Sequence, residues 1–238
     1  MTRLLGIVAR PLRDWLDALE ACVRGGGRAS IAVIVVSLLA AWWLYVPLHE
    51  LAHAWGCLLT GGRVTRLEIA EVYGAAWLAR VFPYVTAGSE YAGRLSGFDT
   101  RGSDLIYLVT CALPFVLTVF VGVPLLRAAP WAHGRRGAVM LGVSIPLAFA
   151  PFVSLPGDYY EMGSILVSRA VSPWGFPLDR WRSDDLVKLV GTLAPEARVS
   201  DAVGVAASLL VGIVLAFATY WAGVIVAAGV ARRRRRPA

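Results

Sequence analysis

The sequence predicts an all-α fold: a polytopic membrane helix bundle of about four transmembrane spans, led by an amphipathic N-terminal helix, with a small re-entrant or β-hairpin segment after the first span. Three observations predict it. Hydrophobic residues make up 58% of the chain and charged residues only 16%, against roughly 45–50% and about 25% in ordinary soluble domains, which is more apolar surface than a small soluble fold can hide. The excess lies in long runs and is not spread at helical or strand periods, as a bilayer-spanning chain requires. The basic residues behind the formal charge of +7 fall at the chain ends and in one short connection, a pattern of membrane topology and not of a nucleic-acid surface.

Taken in order, residues 1–28 alternate Leu4, Leu5, Ile7, Val8, Leu12, Trp15, Leu16 and Leu19 with Arg3, Arg10, Arg13 and Asp17, and end in Gly25, Gly26 and Gly27. That reads as an interfacial amphipathic helix closed by a glycine hinge. The first span runs from about Ala29 to Thr60, longer than the roughly 20 residues a bilayer needs, so it tilts or kinks at Pro47. It continues well past signal-peptide length and is read as a retained span. Residues 61–102 are mixed and glycine-rich, and Val81 to Val85 reads as hairpin strand or re-entrant chain.

The second span is Ser103 to Leu126, with Ser103 or Asp104 capping its start. After the connection Arg127 to Arg136, a third span covers about Gly137 to Leu155. Its prolines, Pro146, Pro151 and Pro156, predict a broken C-terminal half, which a membrane tolerates where backbone is buried in protein or lines a wet cavity. A short helix from Gly157 to Ser172, a polar excursion from Pro173 to Asp201, and a fourth span from Ala202 to Ala231 follow. The tail 232–238 opens with five arginines, Arg232 to Arg236. The organisation is thus an interfacial segment 1–28, a membrane domain 29–231 and a basic tail. Of the 23 Lys and Arg, 13 lie in the N-terminal segment, the short connection and the tail, so these should face the cytoplasm. The expected setting is a bacterial cell membrane with both termini cytoplasmic.

Cys22, Cys57 and Cys111 are far apart with no C-x-x-C, so no disulfide framework or cysteine zinc knot is indicated. The chemistry gathers in the first span, at Leu48-His49-Glu50-Leu51-Ala52-His53. On a helix, His49 and His53 project from one face and both imidazoles can reach one metal ion, with Glu50 beside them to act on a water. Ionisable groups at mid-span cost on the order of 2.5–3.5 kcal/mol each, so three within five residues call for a compensating partner, and a divalent cation supplies one. The third histidine, His133, falls in the connection at the far end of the second span and reads as a surface residue.

Two histidines want a third protein ligand and an open fourth position. Asp158 and Glu161, beyond the proline-broken third span, are the candidates; Cys57, one turn past His53, reads as packing. Alternate spans run the same way, so the end of the first span and the end of the third meet at one face. Asp158, at the break itself, is favoured.

The segment His49 to Ile69, HELAHAWGCLLTGGRVTRLEI, resembles the opening motif of the site-2-protease family of intramembrane zinc metalloproteases. The stretch Leu155 to Ala170, LPGDYYEMGSILVSRA, is similar to that family's second motif, in which an aspartate near proline and glycine supplies the third zinc ligand. The resemblance implies zinc held by His49, His53 and Asp158, with Glu50 as general base toward a metal-activated water in peptide hydrolysis. It covers the three-span core. The second motif differs in reading Pro-Gly-Asp where the family has Leu-Asp-Gly, and the chain has no Asn or Gln. Expected partners are the lipid bilayer and a membrane-protein or peptide substrate, and not nucleic acid. The rival readings are a protease acting on loops near the bilayer surface through Glu161, and a non-catalytic metal-binding scaffold.

Overall fold

A computed structural model describes residues 2–132, 134–175, 180–183, 185–193 and 198–234. His133, and the end of the arginine tail beyond Arg234, lie outside them. Helices dominate: α1 (Thr2–Val8), α2 (Arg10–Gly26), α3 (Arg28–Leu59), α4 (Ala75–Val81), α5 (Asp104–Ala112), α6 (Val123–Ala128), α7 (Arg135–Val153), α8 (Tyr160–Val171), α9 (Leu186–Leu193) and α10 (Val199–Arg234). Between α3 and α5 lie strands β1 (Arg63–Ile69), β2 (Val85–Ala87) and β3 (Gly93–Asp99). Four helical segments are long and apolar enough to cross a membrane: Arg28–Leu59, Asp104–Trp131, Arg135–Trp174 and Val199–Arg233. The chain is an integral membrane protein, and its outer surface agrees: Val36, Leu39, Phe120, Leu210, Val214 and Ile225 are all more than 60% exposed, an outward apolar coat that only lipid satisfies.

The hinge falls at Gly27, whose φ of +61° closes α2 and opens α3; a side chain there would be strained. α2 buries Pro11, Asp14, Ala18 and Cys22 on one face and leaves Leu12 and Leu16 outward. Its buried face meets α6, α7 and the C-terminal half of α10, in a core with Val123, Leu126, Leu141, Tyr220 and Val224. Asp14 ties these elements together. It accepts from Arg10 Nε at 2.8 Å, Arg127 Nη1 at 3.1 Å and Tyr220 Oη at 3.0 Å. The basic N-terminal segment, the short connection and the tail end of α10 therefore share one end of the bundle.

α3 passes through Pro47 without interruption. The prolines of the third span act later than the sequence predicts: α7 stays helical through Pro146 and Pro151 and breaks only after Val153. Pro151 has no N–H to offer Leu147 O, four residues back, and Thr118 Oγ1 donates to that carbonyl instead, at 2.6 Å. The cost of the proline is offset by a neighbouring span. At the break itself Gly157 leaves helical geometry (φ −104°, ψ −110°), and α8 resumes from Tyr160. The excursion after α8 is not wholly irregular, since it contains α9.

The segment 61–102 forms a three-stranded sheet of order β2-β1-β3. Val81 to Val85 is not a hairpin: Val81 ends α4 and Val85 opens β2, which pairs parallel to β1 (Leu67 opposite Val85). The antiparallel partner of β1 is β3, with Leu67 opposite Leu95. Leu67, Ile69, Leu78 and Val85 pack on Leu51 and Ala54 of α3. Trp43 Nε1 donates to Val72 O at 2.6 Å, so the loop after β1 folds back along α3 about 9 Å before His49, at 1.5 Å per residue.

Candidate metal centre

His49, Glu50 and His53 lie on uninterrupted helix. The four-residue spacing puts both imidazoles on one face, and their Nε2 atoms face each other at 3.0 Å. Both residues are 8% exposed. The break between α7 and α8 delivers the third group: Asp158 Oδ2 stands 3.4 Å from His49 Nε2, and Oδ1 stands 3.3 Å from His53 Nε2. Ser154, the C-cap of α7, lines the same cavity as Asp158.

Hydrogen bonds to the remaining ring nitrogens fix how the imidazoles present themselves. His53 Nδ1 lies 2.8 Å from Thr110 O on α5. A carbonyl only accepts, so His53 Nδ1 carries a proton and donates to it, which leaves Nε2, the atom that faces Asp158 and His49, as the position open to a metal. His49 Nδ1 lies 2.8 Å from Tyr45 Oη, one turn back on α3, and the same tautomer results when it donates to that oxygen. This is the outer-shell arrangement that makes an imidazole a metal ligand.

The donor set fits a zinc ion. Two neutral imidazole nitrogens and a carboxylate oxygen are ordinary zinc ligands, and bonds of about 2.0–2.2 Å in a tetrahedron place neighbouring ligand atoms about 3.3–3.5 Å apart. The two imidazole-to-carboxylate separations, 3.3 and 3.4 Å to the two different oxygens of Asp158, match that edge length, and the Nε2–Nε2 separation of 3.0 Å is shorter than it. Among the described residues, His49, His53 and Asp158 are the group whose ligand atoms all lie within 4.8 Å of one another. Glu161 stands outside it. Its carboxylate, also buried, accepts from Tyr107 Oη and from Cys111 Sγ at 3.2 Å. Cys57 is turned away, toward the carbonyl oxygens of Arg63 and Asp99.

A cavity of about 630 Å³ opens on the group, lined by Glu50 and the edge of β3 on one side and by Tyr107, Glu161 and Arg182 on the other. Glu50 sits directly under β3. A Cβ at Gly93 would lie 2.7 Å from Glu50 Cδ, closer than real contacts allow, so the strand passes over the carboxylate only because residue 93 has no side chain.

Sequence reasoning named the three converging groups and Glu50, and missed what holds them. Tyr45 was legible in principle, since it stands four residues before His49 on the same face. Thr110 O, Gly93 and Arg182 carry no local signal, because a backbone carbonyl, a strand crossing and a loop arginine gain meaning only through contacts remote in sequence. No protein-family profile, curated protein or solved structure matches the chain.

Proposed function

We propose that this chain is an intramembrane zinc metalloprotease that hydrolyses peptide bonds of membrane-protein substrates in the cavity beside His49, Glu50 and His53. The observation that carries the reading is the convergence of His49 Nε2, His53 Nε2 and the Asp158 carboxylate, whose ligand atoms all lie within 4.8 Å of one another, with a second carboxylate, Glu50, beside them in the same cavity. A purely structural site has no need of that last residue. When bound, zinc supplies Lewis acidity toward a carbonyl oxygen and acidifies water.

The chain's own residues divide the remaining work. His49, His53 and Asp158 hold the ion, and Tyr45 and Thr110 hold the two imidazoles in turn. Glu50 accepts the proton of the attacking water and returns it to the departing amine. The pairing of β3 with β1 on one side leaves its other edge along the cavity, where an unwound substrate segment adds as an extended strand. Gly93 then brings the substrate backbone next to Glu50. The end that joins α2, the 127–136 connection and α10 is assigned to the cytoplasm of a bacterial cell membrane on its 13 basic residues, and the cavity to the opposite face.

The test pairs metal analysis with proteolysis of a transmembrane substrate. Purified protein should hold stoichiometric zinc and lose it in His49→Ala, whereas Glu50→Gln should keep zinc and lose at least about a hundredfold in cleavage rate, the scale of general-base catalysis. Zinc-free wild-type protein, or cleavage retained by Glu50→Gln, removes the reading.

A further inference from the structure

We infer that Arg182 is a specificity residue that selects substrates bearing a carboxylate near the scissile bond. The inference rests on the protease reading and names the substrate class of the same cavity. Arg182 lies in neither of the motifs read from the sequence. It sits in the chain between α8 and α9, and the two residues before it fix that loop to the bundle. Trp181 is 2% exposed and its carbonyl accepts from Tyr160 Oη of α8 at 2.7 Å. Arg180 Nη2 pairs with Asp201 of α10 at 2.8 Å. The arginine is thus presented to the cavity from a pinned support, which removes much of the entropy an exposed arginine loses on engaging a ligand.

The charge layout says what it would engage. The inner wall of the cavity carries Glu50, Asp158 and Glu161, while Arg94 and Arg182 line it from β3 and from the loop. Arg182 is part-exposed, with 30% of its side chain reaching solvent, whereas Glu161 is buried. A substrate carboxylate too far from the ion to reach it finds its cationic partner in the guanidinium at the rim. That guanidinium has donors to spare. It offers five N–H groups, and its partner among the described residues is Asp104, at the first turn of α5, reached through Nη2 alone. Asp104 orients the guanidinium across the cavity rim and leaves its other edge for a second carboxylate, in the paired geometry arginine favours. A backbone carbonyl would satisfy fewer of these donors and none of the charge.

The carboxylate has two sources, an Asp or Glu side chain and the free end of a substrate already cut once, and the experiment separates them. Binding is read first, by fluorescence anisotropy on the zinc-loaded Glu50→Gln protein, which cannot consume its ligand. A peptide spanning one cleavage site is varied one position at a time among Asp, Ala and Lys, and is also made with a carboxylate or an amide terminus. Asp at one position, or the free terminus, should bind about tenfold tighter than its uncharged counterpart, the size of a charged hydrogen bond partly screened by water. Arg182→Ala should erase that ratio, and Arg182→Glu should favour Lys. Asp104→Asn, which frees the guanidinium, should enlarge it and serves as the second arm should the Arg182 variants lose zinc or fold.

Equal binding of the charged and neutral peptides, or a preference unmoved by Arg182→Ala and Asp104→Asn, overturns the inference. Hydrolysis by the wild type is measured on the same peptides. Intact binding preference without hydrolysis faults the protease reading and leaves Arg182 as the anion-binding group, whereas hydrolysis with no preference faults the assignment of Arg182 alone.

Discussion

Asp14 and Asp158 are both carboxylates enclosed between helices, at opposite ends of the bundle, and their surroundings differ in kind. Asp14 meets two arginines and a tyrosine at 2.8 to 3.1 Å, full hydrogen-bonding distance for charged partners. Its lone pairs are spent, and the result is a clasp joining α2, α6 and α10. Asp158 meets two imidazoles at 3.3 and 3.4 Å, too long for good charged hydrogen bonds and suited to ligands sharing an ion. A buried charge answered by fixed cations stabilises the fold. One answered by imidazole nitrogens at ligand spacing, facing a cavity, is available for chemistry.

Substitutions can break this contrast, beginning with the largest effect. Asp158→Ala should lower zinc content and proteolysis together, the rate by about a thousandfold or more since both holding and orienting are lost, while Glu161→Ala leaves zinc in place. Metal analysis beside the cleavage assay decides it, and zinc lost from Glu161→Ala but kept in Asp158→Ala would hand the ligand role to Glu161. At the other end, Asp14→Ala should leave zinc content unchanged and cost about 2–3 kcal/mol of stability. That is less than the 3–5 kcal/mol of a fully buried pair, because Arg10 and Arg127 remain 35% and 26% exposed and recover solvation. A lowered melting temperature together with faster labelling of Cys22, which is 7% exposed in the intact packing, is the expected signature.

Two smaller changes sharpen the site itself. Gly93→Ala must displace either β3 or Glu50, so cleavage should fall by about ten- to a hundredfold with zinc retained, as expected for a misplacement near 1 Å. Unchanged activity would show that the strand does not position the base. Tyr45→Phe removes the hydroxyl at His49 Nδ1 and should weaken zinc binding by about tenfold, the low end of outer-shell effects, measured by competition with a chelator. An unchanged affinity would make Tyr45 a packing residue only.

The sequence by itself determined the four long helices, because a run of apolar residues longer than a bilayer is thick has one stable backbone arrangement in lipid, and the starts near Ala29 and Ser103 followed from the onset of the apolar run and from capping. It determined equally that His49, Glu50 and His53 share one helix face, since that follows from 3.6 residues per turn. Other features were decided only by tertiary structure. The break in the third span falls at Ser154 to Gly157 and not at Pro151, since Thr118 of another span satisfies the carbonyl that Pro151 orphans. The strand order β2-β1-β3 depends on short segments whose pairing is set by packing on Leu51 and Ala54, and no local pattern reports it. The tautomer of His53 hangs on a carbonyl 57 residues away, and the place of Glu50 on a glycine 43 residues away. Helix periodicity is local and can be read along a chain, whereas a ligand sphere is assembled from atoms that only folding makes neighbours.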